Sequence, residues 1–310
     1  MDPLDRRIVV DGNDGTGKTT LVQVLRCLGF RNVEDRGEMS EATLDSTVQP
    51  APDTTYILLT CDWQESKRRL IAAGKNMAEK WHTDEALQHY DTAFQRIAPM
   101  FDAKVIKTDQ EWSLPSATVL DVLWHLNVPL NLGGVLGKLK GKCALPWPFD
   151  QLQKGRRLHY NYGPLRVVWA RSRTYPQMVA FGCLDSAVVG SDVLEANPYA
   201  SQVEVVHRVP QVSKGLPIRV AVASRTGKMP ETGLLKVVTP FPEWAQRFFG
   251  ERGIPHTIYS VGGGSEGLVT AGIGDVLFDI VETGVTLRDN GLKLIEEVGP
   301  IDTCIIRRRA

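Results

Sequence analysis

The chain has 310 residues, 43% of them hydrophobic, enough for two ordinary domains with their own cores. Lysine plus arginine and aspartate plus glutamate both number 36, so the formal charge is zero and a general nucleic-acid or membrane-surface binder is not expected. Cys27, Cys61, Cys143, Cys183 and Cys304 are scattered without a C-x-x-C pair, and the six histidines show no metal spacing, so neither structural disulfides nor a cysteine or histidine metal site is expected. Met1-Asp2-Pro3-Leu4-Asp5 has no apolar signal core, and no apolar run reaches about 18 residues, the length a spanning helix needs. A cytoplasmic protein without a membrane partner is the expectation.

Ile8-Val9-Val10 reads as a buried strand. Gly12 to Thr19 fits G-x-x-x-x-G-K-[ST], set between that strand and a helix expected over Thr19 to Leu28. In that context Asn13, Asp14, Gly15, Thr16, Gly17, Lys18, Thr19 and Thr20 would cradle ATP. Backbone amides surround the phosphates, Lys18 offsets β/γ charge and Thr19 ligates Mg2+. The plain alternative is a Gly-rich turn. Tyr56 to Thr60 is a second buried strand, and Arg68 and Arg69 follow on a helix where a lid could begin. Lys75 to Arg96, with Lys80 and Tyr90, is a polar helical stretch, Lys104-Val105-Ile106 a last strand, and Ser116 to Leu126 a closing helix.

Asp14-Gly15-Thr16-Gly17-Lys18-Thr19-Thr20 resembles the thymidylate-kinase-like branch of P-loop nucleotide kinases. Glu34-Asp35-Arg36 looks like that family's Asp-Arg pair at a strand end, and Ser40 fits the serine that follows it. The resemblance implies Asp35 near metal or substrate and Arg36 near a substrate phosphate. Lys18, Asp35 and Arg36 are then catalytic candidates, and Thr19 and Asp35 metal candidates. Without it, Asp35-Arg36 is an ordinary solvated pair. The span between Ser40 and Tyr56 is short compared with the family's, which holds the nucleoside monophosphate there. ATP binding is therefore expected ahead of phosphorylation of a mononucleotide.

A second domain is expected to begin at 126, where Leu126 to Leu130 starts a strand-like run. The pattern then gives a helix over Val135 to Lys142, with Arg156-Arg157-Leu158 leading to a strand. Leu165 to Ala170 is a strand ending in Arg171-Ser172-Arg173, with Pro176 opening a helix. Ala187 to Asp192 is strand then turn, Ile218 to Ala223 is a strand, and Leu234 to Val238 precedes Thr239-Pro240-Phe241-Pro242. Glu243 to Gly250 is a helix ending near Gly253, and Thr257 to Ser260 is followed by the glycine turn at 262–266. Val276 to Phe278 then delivers the chain to Asp279, Glu282 and a Thr-Gly-x-Thr turn, with a helix expected over Leu287 to Glu297. Such a turn suits a sugar phosphate: glycine lets the backbone approach, amides and threonine hydroxyls cup an anion, and two carboxylates can take ribose hydroxyls. Strands alternating with helices argue for a parallel or mixed sheet in two lobes.

The run Ala271 to Leu292 resembles the catalytic subunit of ATP phosphoribosyltransferase, and so do Cys183 to Leu194, Arg171-Ser172-Arg173 with Pro176, Lys236 to Ile254, and Glu266 in its turn. The likeness runs in order over about 126–310 and stops where that family's catalytic core stops, so a short form without a regulatory domain is expected. The implied fold is α/β, a P-loop kinase-like parallel sheet over 1–125 followed by a two-lobed phosphoribosyltransferase-like, periplasmic-binding-protein-like domain over 126–310. The resemblance implies that Asp279 and Glu282 hold the ribose hydroxyls of phosphoribosyl pyrophosphate. Thr283, Gly284, Val285 and Thr286 would bind its 5-phosphate. Arg171, Arg173 and Glu266 would line the substrate cleft, with Glu282 counted as catalytic and Mg2+ present.

The departures are specific. Where the family has Pro-Lys-Gly-Arg-Leu, this chain has Pro129-Leu130-Asn131-Leu132-Gly133, without either cation. Two lost phosphate contacts would cost on the order of 3–6 kcal/mol. Leu268-Val269-Thr270 follows the Glu266 turn in place of Ala-Pro, and Thr174 stands where an acid is usual. The expected function is a bifunctional nucleotide-metabolism transferase, with an ATP-binding kinase-like part and a part that moves phosphoribosyl to a base or nucleotide. The alternative is a nucleotide kinase whose second half is a non-catalytic sugar-phosphate-binding module. Partners are nucleotides, phosphoribosyl pyrophosphate and further copies of the chain in a homo-oligomer. Trp147, Trp169 and Trp244 are expected in the core, and Arg307-Arg308-Arg309 as a solvated tail.

Overall fold

The computed structural model describes residues 3–108, 116–134, 158–231 and 233–309. The expected helix at 135–142, the Pro-Trp-Pro at 146–148 and residues 156 and 157 lie outside the described residues. Two compact units are present, one within 3–134 and 158–168, the other from Trp169 onward.

In the first unit, β1 (Arg7–Gly12), α1 (Lys18–Cys27), β2 (Val33–Asp35), α2 (Glu38–Ala42), β3 (Thr54–Thr60), α3 (Trp63–Ala72), α4 (Asp84–Ile97), β4 (Lys104–Lys107) and α5 (Ser116–Leu126) follow one another. The sheet order is β2-β1-β3-β4 and every pairing is parallel. Both faces are covered, which is why β1 and β3 are apolar almost throughout. Val9, Tyr56 and Leu58 pack on Met39, Phe94, Ile97 and Phe101, and α1 buries Leu21, Val24 and Leu25. After α5 come β5 (Leu130–Gly133), β6 (His159–Tyr162) and β7 (Leu165–Val168); β5 and β7 pair parallel, β6 and β7 antiparallel.

The second unit contains α6 (Tyr175–Ala180), β8 (Ser186–Gly190), α7 (Ser191–Glu195), β9 (Val203–Pro210), the short hairpin β10 (Val212–Ser213) and β11 (Leu216–Pro217), and β12 (Arg219–Ser224). It continues with β13 (Leu235–Thr239), α8 (Pro242–Glu251), β14 (His256–Ser260), α9 (Ser265–Thr270), β15 (Val276–Val281), α10 (Val285–Asp289), β16 (Lys293–Pro300) and β17 (Asp302–Arg308). One sheet runs β14-β13-β15-β12-β16, with β13, β14 and β15 parallel and β12 antiparallel to its neighbours. In another ladder β17 pairs antiparallel with β8 and β9. The five-stranded sheet is buried on both faces. Val220, Val222, Val237, Val276 and Phe278 pack on Phe248 and Phe249 of α8, whereas Ala221, Ala223, Val238, Leu277 and Val281 pack on Val269 of α9 and Leu287 of α10.

Several expectations need correction. The helix read over Leu287 to Glu297 is a single short turn, α10, which ends before Gly291 (φ 66°), and β16 then pairs with β12. Left-handed glycine closes a helix, and an edge strand tolerates the charges of Lys293, Glu296 and Glu297. The stretch 75–83 is not helical; Thr83 caps α4, its hydroxyl accepting from the Ala86 N–H at 3.2 Å, and Asp84 and Glu85 fill the first turn. Leu126 belongs to α5, and the strand waits until Leu130, after Asn127 turns at φ 50°. Ser191-Asp192 opens α7 rather than a turn. Arg307 and Arg308 lie in β17, and Arg307 pairs with Glu204 at 2.5 Å, so the basic end is ladder rather than tail. Trp169 is buried, and Trp244 packs edge-on against Phe241 and Phe278, as expected; Trp147 lies outside the described residues.

Phe278 has no exposed surface and stands within 5.4 to 6.0 Å of the Phe248, Trp244 and Phe249 ring centroids. Phe278→Ala is expected to destabilise the second unit by about 3–5 kcal/mol, read as a lower denaturation midpoint. A loss under about 1 kcal/mol would contradict this packing.

Candidate active site

Strands β13, β14 and β15 run the same way and stop at one edge of the sheet. The segments that follow them, at 239–241, 262–266 and 282–287, surround a cavity of about 730 Å3. Open α/β sheets place ligands at this carboxyl edge. Asp279 belongs to the edge for a simple reason. Along β15 side chains alternate, and Asp279 falls with Leu277 and Val281 on the face covered by α9 and α10. Its carboxylate is oriented there by the Ser265 hydroxyl, which donates to Oδ2 at 2.5 Å, and by the Ile280 N–H, which donates to Oδ1 at 2.7 Å. Glu266, the next residue of α9, also faces the cavity.

Glu282, Thr283, Gly284 and Thr286 line the same space. Gly284 takes φ 71° at the start of α10, a conformation that favours glycine. Because α10 has only five residues, no long helix dipole points into this turn. The Val285 side chain is exposed. Arg173 reaches the Pro240 carbonyl at 3.5 Å, beside the cavity, whereas Arg171 is exposed and is not among the described lining residues. The structure thus gathers Glu266, Asp279, Glu282, Thr283, Gly284 and Thr286, and sets Arg173 next to them.

Asp192, Gln211 and Ser265 line the cavity too, and sequence reasoning did not single them out. Burial pushes the Asp192 carboxyl up, against the backbone N–H groups of Val193 and Asp192 and the positive charge of Arg173. The signal available was an apolar strand ending in Gly190-Ser191-Asp192.

In the first unit, β1 ends in a loop whose conformation requires its glycines. Gly12 has φ 138°, and a Cβ there would lie 2.2 Å from the Leu59 carbonyl oxygen; a Cβ on Gly15 (φ 81°) would lie 2.7 Å from that of Ser66. Gly17, at φ 95°, caps α1. The loop wraps the buried Lys18 ammonium, which donates to the Gly12 and Asn13 carbonyls at 2.8 Å each. Burial pulls the Lys18 ammonium below its ordinary value, against the opposing charge of Asp14. Asp14 accepts from Arg36 at 2.6 Å, with Lys18 at 3.5 Å and His82 at 3.4 Å. Its own burial raises it, yet the Lys18, Arg36 and His82 charges outweigh that and hold the carboxyl below the usual range. Asn13 donates to the Leu87 carbonyl at 2.6 Å, and Thr16 is buried with its hydroxyl on the Asn13 carbonyl at 2.8 Å, while Thr20 is exposed. Arg36 sits at φ 64°, a strained conformation for a side-chain-bearing residue and one found at functional sites.

Thr19 donates to Asp35 at 2.8 Å, so the two oxygens expected to face a cation are adjacent and exposed. They fit Mg2+, which takes one or two protein oxygens and fills its shell with phosphates and water. Among the described residues no group of three or more His, Cys, Asp or Glu is arranged to hold a metal by itself. Asp11 was not anticipated: it is fully buried, accepts from the Ser40 hydroxyl and from the Gly37 N–H at 3.2 Å, and burial raises its carboxyl. No helix among the described residues is long and apolar enough to cross a membrane.

The family profile HisG, ATP phosphoribosyltransferase, matches residues 171–310, the segment that builds this cavity. The ATP phosphoribosyltransferase of Hahella chejuensis is 33% identical over 165 residues, 53% of this chain and 76% of that protein. The chain belongs to the ATP phosphoribosyltransferase family. The Marinomonas sp. ATP phosphoribosyltransferase is 30% identical over 190 residues, 60% of this chain and 86% of that one. Among solved structures, the chain is similar to the ATP phosphoribosyl transferase (HisG:HisZ) complex from Thermotoga maritima, with 23% identity, a TM-score of 0.49, and coverage of 58% of this chain and 87% of that chain. The expectation of a transferase is met at the level of family membership.

The loop at 12–18 is braced from α3. Arg69 donates to the Gly15 carbonyl at 3.4 Å and to the Thr108 carbonyl, and Glu65 holds it at 2.7 Å. Hydrogen bonds from Arg68 and then Arg69 lower the Glu65 carboxyl from 4.5 to about 2. A depressed carboxyl stabilises the fold above its unfolded value and loses that contribution as pH falls through its folded value. Glu65→Gln is therefore expected to flatten the decline in denaturation midpoint between about pH 4.5 and 2. An unchanged acid slope would show that this brace contributes nothing.

Proposed function

We propose that the chain is a two-site nucleotide enzyme of the transferase class. Residues 1–125 would form a P-loop nucleotide-kinase-like domain that binds ATP with Mg2+. Residues 126–310 would form a two-lobed, periplasmic-binding-protein-like domain that transfers phosphoribosyl from phosphoribosyl pyrophosphate to a base or nucleotide. A cytoplasmic homo-oligomer belongs to the same reading. The observation that carries it is one cavity, inside the segment matching the family, that presents an oriented Asp279 together with Glu282 and the Thr283-Gly284-x-Thr286 turn.

In this reading Asp279 and Glu282 accept hydrogen bonds from the ribose hydroxyls. The 283–286 backbone and the two threonine hydroxyls hold the 5-phosphate. The acceptor nitrogen forms its bond to the anomeric carbon as the bond to diphosphate breaks, and diphosphate leaves with the electron pair. Catalysis rests on positioning and on offsetting charge at the leaving group, with Arg173, which donates to the Pro240 carbonyl beside the cavity, a cation within reach. In the first domain Thr19 and Asp35 would hold Mg2+, which supplies charge neutralisation to nucleotide phosphates. Lys18 and Arg36 would face the same phosphates.

One observation favours a second reading, a kinase with a non-catalytic sugar-phosphate-binding half. The stretch where the resembled family carries two cations forms β5, and its Leu130 and Leu132 are buried core residues. Diphosphate release from phosphoribosyl pyrophosphate with any acceptor favours the transferase; binding without release favours the second reading.

Binding measured by calorimetry separates the sites. Lys18→Ala is expected to weaken ATP about 10–100-fold and leave phosphoribosyl pyrophosphate unaffected, and Glu282→Ala to do the reverse, since each removes hydrogen bonds to a charged group. If both variants weakened both ligands equally, the two-site reading would fail.

A further inference from the structure

The first unit holds a cavity at the mouth of its loop. It measures about 210 Å3, below the roughly 300–1,000 Å3 of ordinary small-molecule pockets. Residues 12–14 and Arg36 form one wall, and Trp81, Tyr90 and Phe94 make another wall apolar. Among the described lining residues Arg36 is the one cation, and Asp14 already engages it at 2.6 Å. The span from Ser40 to Tyr56, where the resembled kinases hold a mononucleotide, is short. The cavity nevertheless contains a hydroxyl set on a carboxylate. Ser40 of α2 lines it, and the Ser40 hydroxyl donates to Asp11 Oδ1, on a side chain with no exposed surface. The Gly37 N–H donates to Asp11 Oδ2 at 3.2 Å and so fixes the direction of the carboxylate. Thr43, the other hydroxyl beside Ser40 on this wall, is occupied locally, donating to the Ser40 carbonyl at 2.7 Å. The Lys18 ammonium is tied to the Gly12 and Asn13 carbonyls. Because the lysine of such a loop reaches the β/γ phosphates, the γ end of a bound nucleotide falls on the 12–14 side, which shares the cavity with Ser40.

We propose, resting on the reading of residues 12–19 as an ATP-binding loop, that Ser40 is the phosphoryl acceptor of this domain and that the chain phosphorylates itself there, with Asp11 taking the hydroxyl proton. The Ser40 oxygen forms its bond to the γ-phosphorus as the bond from that phosphorus to the bridging oxygen of the β-phosphate breaks. ADP leaves with the electron pair, and the proton passes to Asp11. In protein kinases an aspartate accepts the proton of the acceptor hydroxyl in the same way. Burial already raises the Asp11 carboxyl, so it retains the proton it accepts. A neutral Asp11 then adds no like charge beside the new phosphate, which carries about −1.5 to −2 at neutral pH. Arg36, exposed on the same wall, supplies opposite charge.

The full chain is incubated with Mg2+ and γ-labelled ATP and no other acceptor, and the labelled residue is located by mass spectrometry. ATP binding to the parent and to each variant is measured by calorimetry alongside. The expected result is label on Ser40, at a rate independent of protein concentration. Ser40→Ala should bind ATP and carry no label. Asp11→Asn should label about 100-fold more slowly, the loss of a general base. Lys18→Ala should lose the label, which excludes a contaminating kinase. Locating the label needs only the parent protein, so the test holds even if a variant folds poorly. Label on another residue, a rate that rises with protein concentration, label that survives Lys18→Ala, or no label in a chain that binds ATP overturns the inference while ATP binding at the loop stands. An Asp11→Asn chain that labels at the parent rate overturns proton transfer to Asp11. A parent chain that does not bind ATP overturns the reading of the loop and the inference with it.

Discussion

The hydrogen bond from Ser265 to Asp279 is the constraint around which the second unit is arranged. A carboxylate on a strand face that otherwise packs Leu277 and Val281 against α9 and α10 would be costly without a partner. Placing Ser265 at the first turn of α9 satisfies it and fixes its direction. The same helix start brings Glu266 to the cavity, and the turn after β15 brings Glu282 and the threonines. Three parallel strands ending at one edge are what allow these residues, distant in sequence, to share a space.

The first unit uses a related device with opposite emphasis. Lys18 is buried inside the curve of its own loop, and Asp14 is the anion on which Lys18, Arg36 and His82 converge. Removing Asp14 would leave buried positive charge uncompensated, which is why the loop keeps an acid at a position next to expected phosphates. The brace from Glu65 through Arg69 to the Gly15 carbonyl holds the far side of the loop against the strand edge. Both units therefore put charged groups on rigid edges of sheets and orient them with neutral or opposite partners before a ligand is present.

Much of this was legible in the sequence, for identifiable reasons. Apolar runs of β-branched residues marked β1, β3, β8 and β12, because strands buried on both faces admit little else. Glycines at 12, 15, 17 and 284 marked positions where the backbone turns left-handed. The last two strands were not legible. Residues 293–300 carry charges at spacings that suit a helix, and only pairing with β12 makes them a strand. The basic end at 307–309 looked solvated, yet Arg307 ladders with β8 and β9, Arg308 ladders with β9, and Glu204 neutralises Arg307. Asp192 was hidden for a different reason. It lines the cavity beside Gln211, nineteen positions on, with both side chains close to Gly190, a juxtaposition that no local pattern encodes. Asp11 was likewise hidden, since its partners Gly37 and Ser40 come from α2 and the turn before it.

The central claim is that the 279–286 edge receives a ribose 5-phosphate. A crystal structure of the full chain with phosphoribosyl pyrophosphate and Mg2+ tests it directly. The account requires the 5-phosphate within hydrogen-bonding distance of Thr283 and Thr286, and the ribose hydroxyls on Asp279 and Glu282. Ligand density elsewhere, with these four residues uncontacted, would contradict it.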